Sequence, residues 1–164
     1  MIVPVTSCAV TVRYGGRRFN RLVRLVRAQS KSRRMVIFIF VGMPKAVLRA
    51  AARRLASDFG SALYRVELSA IISKYIGETE KRLAVLFETA QRAGAVVLFD
   101  EAEALFGRRS GIKDAHDRYA NIEVDYLLQR LEAFRGVAVL AAQSPATAPL
   151  KSRKLRQVVV KWPP

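Results

Sequence analysis

Short apolar runs alternate along this chain with longer stretches whose apolar positions recur every three or four residues. Val36-Ile37-Phe38-Ile39-Phe40-Val41 is apolar throughout and closes at Gly42. Such a run is too short and too β-branched to favour a helix and reads as a strand covered on both faces. Residues 46–59 are alanine-rich and helical in pattern. Leu63 to Leu68 reads as a second strand. Residues 78–93 carry Leu83, Leu86, Phe87 and Ala90 on one helical face, behind an acidic first turn that suits the helix dipole. Val96-Val97-Leu98-Phe99 is a further buried strand, and it runs straight into Asp100-Glu101. Residues 117–134 follow as a helix with Val124, Leu127, Leu128 and Leu131 at its helical spacing. Val137 to Ala141 reads as a fourth strand and Val158 to Val160 as a fifth. Strands alternating with helices predict an α/β fold, a parallel sheet with helices on both faces.

Residues 1–34 follow a different rule. Val10, Val12 and Tyr14 alternate weakly with Thr11 and Arg13, and Gly15-Gly16 ends that signal. Phe19, Leu22, Val23 and Val26 then take helical spacing, with arginines on the other face. The division expected is a basic leader over 1–34, disordered or helical, and a folded core over 35–164.

Charge sharpens that division. The chain of 164 residues carries a net +16, of which residues 1–34 supply +9 with no acid. From Gln143 to the end there are five basic residues and again no acid. Basic ends leave open a nucleic acid, an anionic surface or an acidic partner, and the leader could equally be a targeting segment. No apolar run approaches the roughly 18 residues needed to span a bilayer, and a cytoplasmic location is the expectation. Cys8 is the one cysteine and His116 the one histidine, so neither an internal disulfide nor a zinc cluster is available.

The chemistry-bearing residues gather after Gly42 and after Phe99. A strand ending in Asp100-Glu101 sets two carboxylates at the carboxyl edge of a parallel sheet, where open α/β folds bind ligands. Three ordered blocks carry a family resemblance: Ser73-Lys74-Tyr75-Ile76-Gly77-Glu78-Thr79-Glu80-Lys81; then Leu98-Phe99-Asp100-Glu101-Ala102-Glu103-Ala104-Leu105-Phe106-Gly107; then Asp117-Arg118-Tyr119-Ala120-Asn121-Ile122-Glu123 running into Leu127-Leu128. On these blocks residues 36–162 resemble the core of an AAA-type ATPase, a member of the P-loop NTPase class.

The resemblance implies ATP and Mg²⁺ as ligands. Asp100 would hold the metal, through water, and Glu101 would activate the attacking water. Gln143 would stand at the sensor position, and Arg153 and Arg156 near the arginine fingers that reach a neighbour's nucleotide. Lys74, Tyr75, Ile76 and Gly77 would form a pore loop gripping a protein substrate inside a homo- or hetero-oligomeric ring. A small helical lid normally follows such a core, and the reading here is of a core without it.

The phosphate loop departs from the family. The pattern G-x-x-x-x-G-K-[ST] places backbone N–H groups and a lysine around the phosphates. Gly42 and Pro44 suit it. Val47 stands for the second glycine, Leu48 for the lysine and Arg49 for the hydroxyl residue. Valine resists the tight turn, leucine brings no charge and arginine repels a metal ion. Lys45 and Arg49 could restore positive charge, though in another geometry. The functional expectation is therefore an AAA ATPase module of impaired hydrolysis that remodels protein partners. Two alternatives stay open: a non-hydrolysing scaffold, truncated or degenerate, assembling with active subunits; and a binder of nucleic acid or anionic surfaces through the basic ends.

Overall fold

The computed structural model describes residues 10–29, 35–101, 115–142 and 155–162. The elements run β1 (Val10–Arg13), α1 (Arg17–Gln29), β2 (Val36–Val41), α2 (Lys45–Asp58), β3 (Leu63–Glu67), α3 (Leu68–Ile71), α4 (Glu78–Ala93), β4 (Val96–Asp100), α5 (Ala115–Ala133), β5 (Val137–Ala142) and β6 (Arg156–Lys161). The six strands form one sheet in the order β1-β6-β2-β5-β4-β3, and every pair is parallel. The α/β architecture expected from the alternating pattern is thus the one observed.

The two-residue period of the strands sorts the core into two layers. Ile37, Ile39, Val97, Phe99, Ala138 and Leu140 face α4 and α5, where Leu83, Phe87, Leu127 and Leu131 cover them. Phe38, Phe40, Val96, Leu98, Val139 and Val160 face the opposite way, toward α1 and α2. There Leu48, Ala51, Ala52 and Leu55 of α2 are buried. Each central strand is apolar on both sides because each side is covered by helix.

Residues 10–29 belong to this second layer. β1 adds to the sheet beside β6, with Val10 opposite Val158 and Arg13 opposite Lys161. α1 packs Phe19 and Val23 into the α2-side core, and Tyr14, Leu22 and Val26 lean on it. Phe19 also meets Phe38 and Phe40 edge-on, with centroids 6.4 Å apart in each pair. The helix expected from Phe19 to Val26 is present, and its arginine-rich face points to solvent while its apolar face holds the sheet. The weak alternation at Val10 to Arg13 is a real strand. It is short, and its ladder comes from β6, a strand some 150 residues away, so local sequence carries little of the signal.

The element ends differ from expectation by a residue or two, except for α3. That short helix follows β3 directly, where the sequence reads as strand running to Leu68. Among the described residues no helix is long and apolar enough to cross a membrane.

Candidate functional site

Parallel strands bring all their carboxyl ends to one edge, and the chemistry collects there. Val96 and Leu98 face α2, so Asp100, two residues further along β4, faces the same way. It meets the first turns of α2. Gly42, with φ +68, turns the chain off β2 in a conformation a side chain disfavours, and α2 begins three residues later. A cleft of ≈ 550 Å³ lies between these parts, lined among others by Phe40, Gly42, Pro44, Lys45, Asp100 and Glu101.

Within α2, Lys45 and Arg49 are four residues apart and share one face. Each meets one of the two acids. Lys45 Nζ donates to Glu101 Oε1 at 3.1 Å. Arg49 Nη2 stands 3.6 Å from Asp100 Oδ2. Arg65 brings Nε to the same oxygen, also at 3.6 Å. The register explains Arg65: Glu67 lies opposite Asp100 on β3, and Arg65, two residues earlier, lies on the same face. Arg65 also pairs with Glu67. Asp100 is 3% exposed, and a carboxylate so deep in protein requires compensation. Two guanidinium groups and the Glu101 N–H, which donates to Asp100 Oδ1 at 3.1 Å, supply it.

Glu101 is more open. Ser69 Oγ, from α3, donates to its Oε2 at 3.1 Å. The hydrogen bond from Lys45, with that from Ser69 beside it, holds the Glu101 carboxyl below its ordinary value of 4.5. Its backbone sits at φ +61, and among the described residues it is the non-glycine residue in the left-handed region. That costs roughly 1–2 kcal/mol in a backbone of L-residues, and strain of this kind collects at functional sites.

The segment expected to wrap phosphates takes another form. α2 starts at Lys45, with Pro44 as its N-cap, and runs unbroken through Val47, Leu48 and Arg49. The Leu48 N–H is bonded to the Pro44 carbonyl at 2.9 Å, an ordinary helical bond. The Leu48 side chain is 2% exposed and belongs to the α2-side core. Without a glycine at Val47 nothing favours a wider turn, and leucine gains by burial what lysine would lose. The loop between β2 and α2 is thus Gly42-Met43-Pro44. The start of α2 has no side-chain cap and no acid in its first turn. Its remaining N–H groups and Lys45 still form an electropositive end.

The metal implied by the family can be tested against these residues. Magnesium demands near-ideal octahedral oxygen coordination and prefers one or two carboxylates with several waters. Held through water at Asp100, it would stand roughly 4 Å from the carboxylate oxygens. Two guanidinium nitrogens already stand 3.6 Å from Oδ2. The first turns of α2 offer no hydroxyl, because Arg49 takes that place. Among the described residues no group of three His, Cys, Asp or Glu could hold a metal ion. The donor set does not fit a divalent metal.

A second feature lies beyond α3. Tyr75 is 64% exposed and Ile76 82% exposed, on a loop pinned at its base. The Ser73 N–H donates to Thr79 Oγ1 at 2.9 Å, and Thr79 is buried. Ser73 Oγ bonds Glu78 and accepts from the Tyr75 N–H at 3.2 Å. Gly77, at φ +81, sends the chain into α4. Lys74 Nζ lies 5.8 Å from the centre of the Tyr75 ring. The Lys74-Tyr75-Ile76-Gly77 segment therefore presents an aromatic and an aliphatic side chain to solvent.

Arg156 opens β6 opposite Val36, at the amino edge of the sheet and a strand length away from Asp100. It takes no part in this chain's own cleft. Gln143, Arg153 and the Ala102-Gly107 block lie outside the described residues. Sequence reasoning missed Arg65 and Ser69. The two-residue period on β3 pointed to Arg65, once β3 was known to neighbour β4; Ser69 had no signal, because α3 was not expected.

A family model described as "ATPase family associated with various cellular activities (AAA)" matches residues 46–158. The match begins inside α2, past Gly42, Pro44 and Lys45. A katanin p60 ATPase-containing protein from Danio rerio is 33% identical over 92 residues, covering 56% of this chain and 19% of that protein. An ATPase-like fidgetin from Schizosaccharomyces pombe is 29% identical over 96 residues, covering 58% and 14%. This chain thus spans less than a fifth of those relatives. Among solved structures, the FIGL-1 AAA domain in complex with ADP superposes with a TM-score of 0.65 at 18% identity, over 92% of this chain and 54% of that one. That likeness establishes the fold.

Proposed function

Because the chain belongs to the AAA family of ATPases, we propose that it is an AAA-type core that assembles with ATPase-competent subunits, engages a protein substrate through Tyr75 and Ile76, and does not itself hydrolyse ATP. The observation that carries this reading is the Leu48 N–H bonded to the Pro44 carbonyl. A peptide group that should face a phosphate is instead used inside α2. Phosphoryl transfer depends on positioning and charge neutralisation, and losing one such donor costs about 10²–10³ in rate. Here the second glycine, the lysine and the hydroxyl residue are all replaced, and both acids already carry cations. The exposed Tyr75-Ile76 pair on a braced loop suits sequence-tolerant gripping of an extended polypeptide.

Turnover in ATP with magnesium tests the proposal. The expected result is no phosphate release above background, unchanged in Glu101→Gln. Release that Glu101→Gln abolishes would sink it in favour of a hydrolysing module. Mixed with an active relative, Tyr75→Ala should lower substrate capture by the mixed assembly, and an unchanged capture would remove the gripping role.

A further inference from the structure

We infer that Arg49, supported by Arg65, stands in for the divalent cation at Asp100, so that a polyphosphate entering this cleft does so without metal. The inference rests on the reading of the cleft as an AAA-type nucleotide site, and goes beyond it by assigning the counter-charge.

Three observations converge. Asp100 is buried, and both guanidinium groups stand 3.6 Å from its Oδ2. That is charge contact beyond hydrogen-bond length, with the spacing expected of a water-separated metal rather than a closed fork. Arg49 is also not saturated: its Nε is buried and has no hydrogen-bond partner among the described residues. A planar guanidinium carries five donors suited to phosphate oxygens, so an acceptor is wanted at Arg49. Finally, Lys45, the first residue of the uncapped α2, lies four residues before Arg49 on the same helical face. Lys45 and Glu101 are 61% and 43% exposed, so their pair is solvent-screened and readily exchanged for a phosphate.

A metal added to this arrangement gains one carboxylate and meets two fixed cations. A polyphosphate without metal meets Lys45 and the helix end in the cleft, with the Arg49 guanidinium beside the lining Asp100 to draw its charge. Magnesium chelated to the phosphates would remove charge from the ligand that those groups attract. The usual dependence should therefore be absent in this chain, and restored when Arg49 is replaced by the hydroxyl residue of the family pattern.

The experiment is equilibrium binding of a fluorescent ATP analogue to the purified chain, in millimolar magnesium and in EDTA. The inference expects binding in both, with affinities equal within about twofold. Arg49→Thr should lose affinity in EDTA and become tighter in magnesium by about tenfold, and adding Asp100→Asn should abolish that preference. Binding by the wild type that is about tenfold tighter in magnesium would overturn the inference while leaving a non-hydrolysing site intact. Absence of binding in both conditions would also overturn it. The wild-type comparison decides even if Arg49→Thr fails to fold. Phosphate release in magnesium would speak against the proposed function alone.

Discussion

Lys45 Nζ lies 3.1 Å from Glu101 Oε1, joining the first residue of α2 to the residue after β4 across the mouth of the cleft. The pair favours the ionised form of Glu101. Its folded carboxyl titrates below the ordinary 4.5, so the contribution to stability is complete above about 4.5. It is lost as pH falls from there through the lowered folded value. Lys45→Ala should move the Glu101 titration upward toward 4.5 and flatten the acid side of the stability profile. Carboxyl-carbon NMR titration of both forms checks the shift, and urea midpoints against pH check the flattening. An unmoved titration would mean the contact is not made in solution.

The left-handed backbone at Glu101 predicts an order of variants. Glu101→Gly and Glu101→Ala both lose the Lys45 and Ser69 contacts, but only glycine takes φ +61 without strain. Glu101→Gly should melt higher than Glu101→Ala by about 2–4 °C. Calorimetry on the two variants reads this directly, and equal melting points would place residue 101 outside the left-handed region.

Leu48 gives the clearest test of the altered phosphate segment. At 2% exposure it is a core residue. Leu48→Ala should cost about 2–5 kcal/mol and Leu48→Met less than about 1.5 kcal/mol. Leu48→Lys should be at least as harmful as alanine, because it buries an unpaired ammonium. Restoring the family lysine alone should therefore unfold α2 from the sheet before it restores a site. Restoring Val47→Gly with it should recover part of the stability by letting the helix start later. Denaturant midpoints measure each step, and a stable Leu48→Lys would refute the packing at this position.

Phe19 tests the attachment of the basic segment. It is 7% exposed and wedged against Phe38 and Phe40, so Phe19→Ala should cost about 3–5 kcal/mol. Arg21→Ala, on the exposed face of the same helix, should stay within about 0.5 kcal/mol. Similar small effects of both substitutions would return α1 to a solvated arm.

Much of the fold was legible because its signal is local. The strands at Val36–Val41 and Val96–Asp100 and the helices at Glu78–Ala93 and Ala115–Ala133 announce themselves by periodicity, and the acids at the end of β4 mark the edge where the cleft lies. The charge arrangement was not legible. Arg49 and Lys45 could be placed on one helical face by counting, but the meeting of Arg65 with Asp100 depends on β3 lying beside β4, and strand order is a non-local property. The helical start was legible to within a residue, at 46 against Lys45, but the inward turn of Leu48 was not. Leu48 stands where the family has a phosphate-binding lysine, whereas its burial against the sheet makes it a core residue. β1 was faint because its ladder lies with β6, far along the sequence.

That last pairing sets an order of events during synthesis. Val10 is translated well before its partner Val158. β1 cannot take its place in the sheet until almost the whole core has left the ribosome, since β6 must emerge first. Until then the arginine-rich α1 has β2 and α2 to pack on but lacks the β6 side of its core, which closes last there. Chaperone demand and the toll of a stalled ribosome should fall on the interval before the codons of β6 are read.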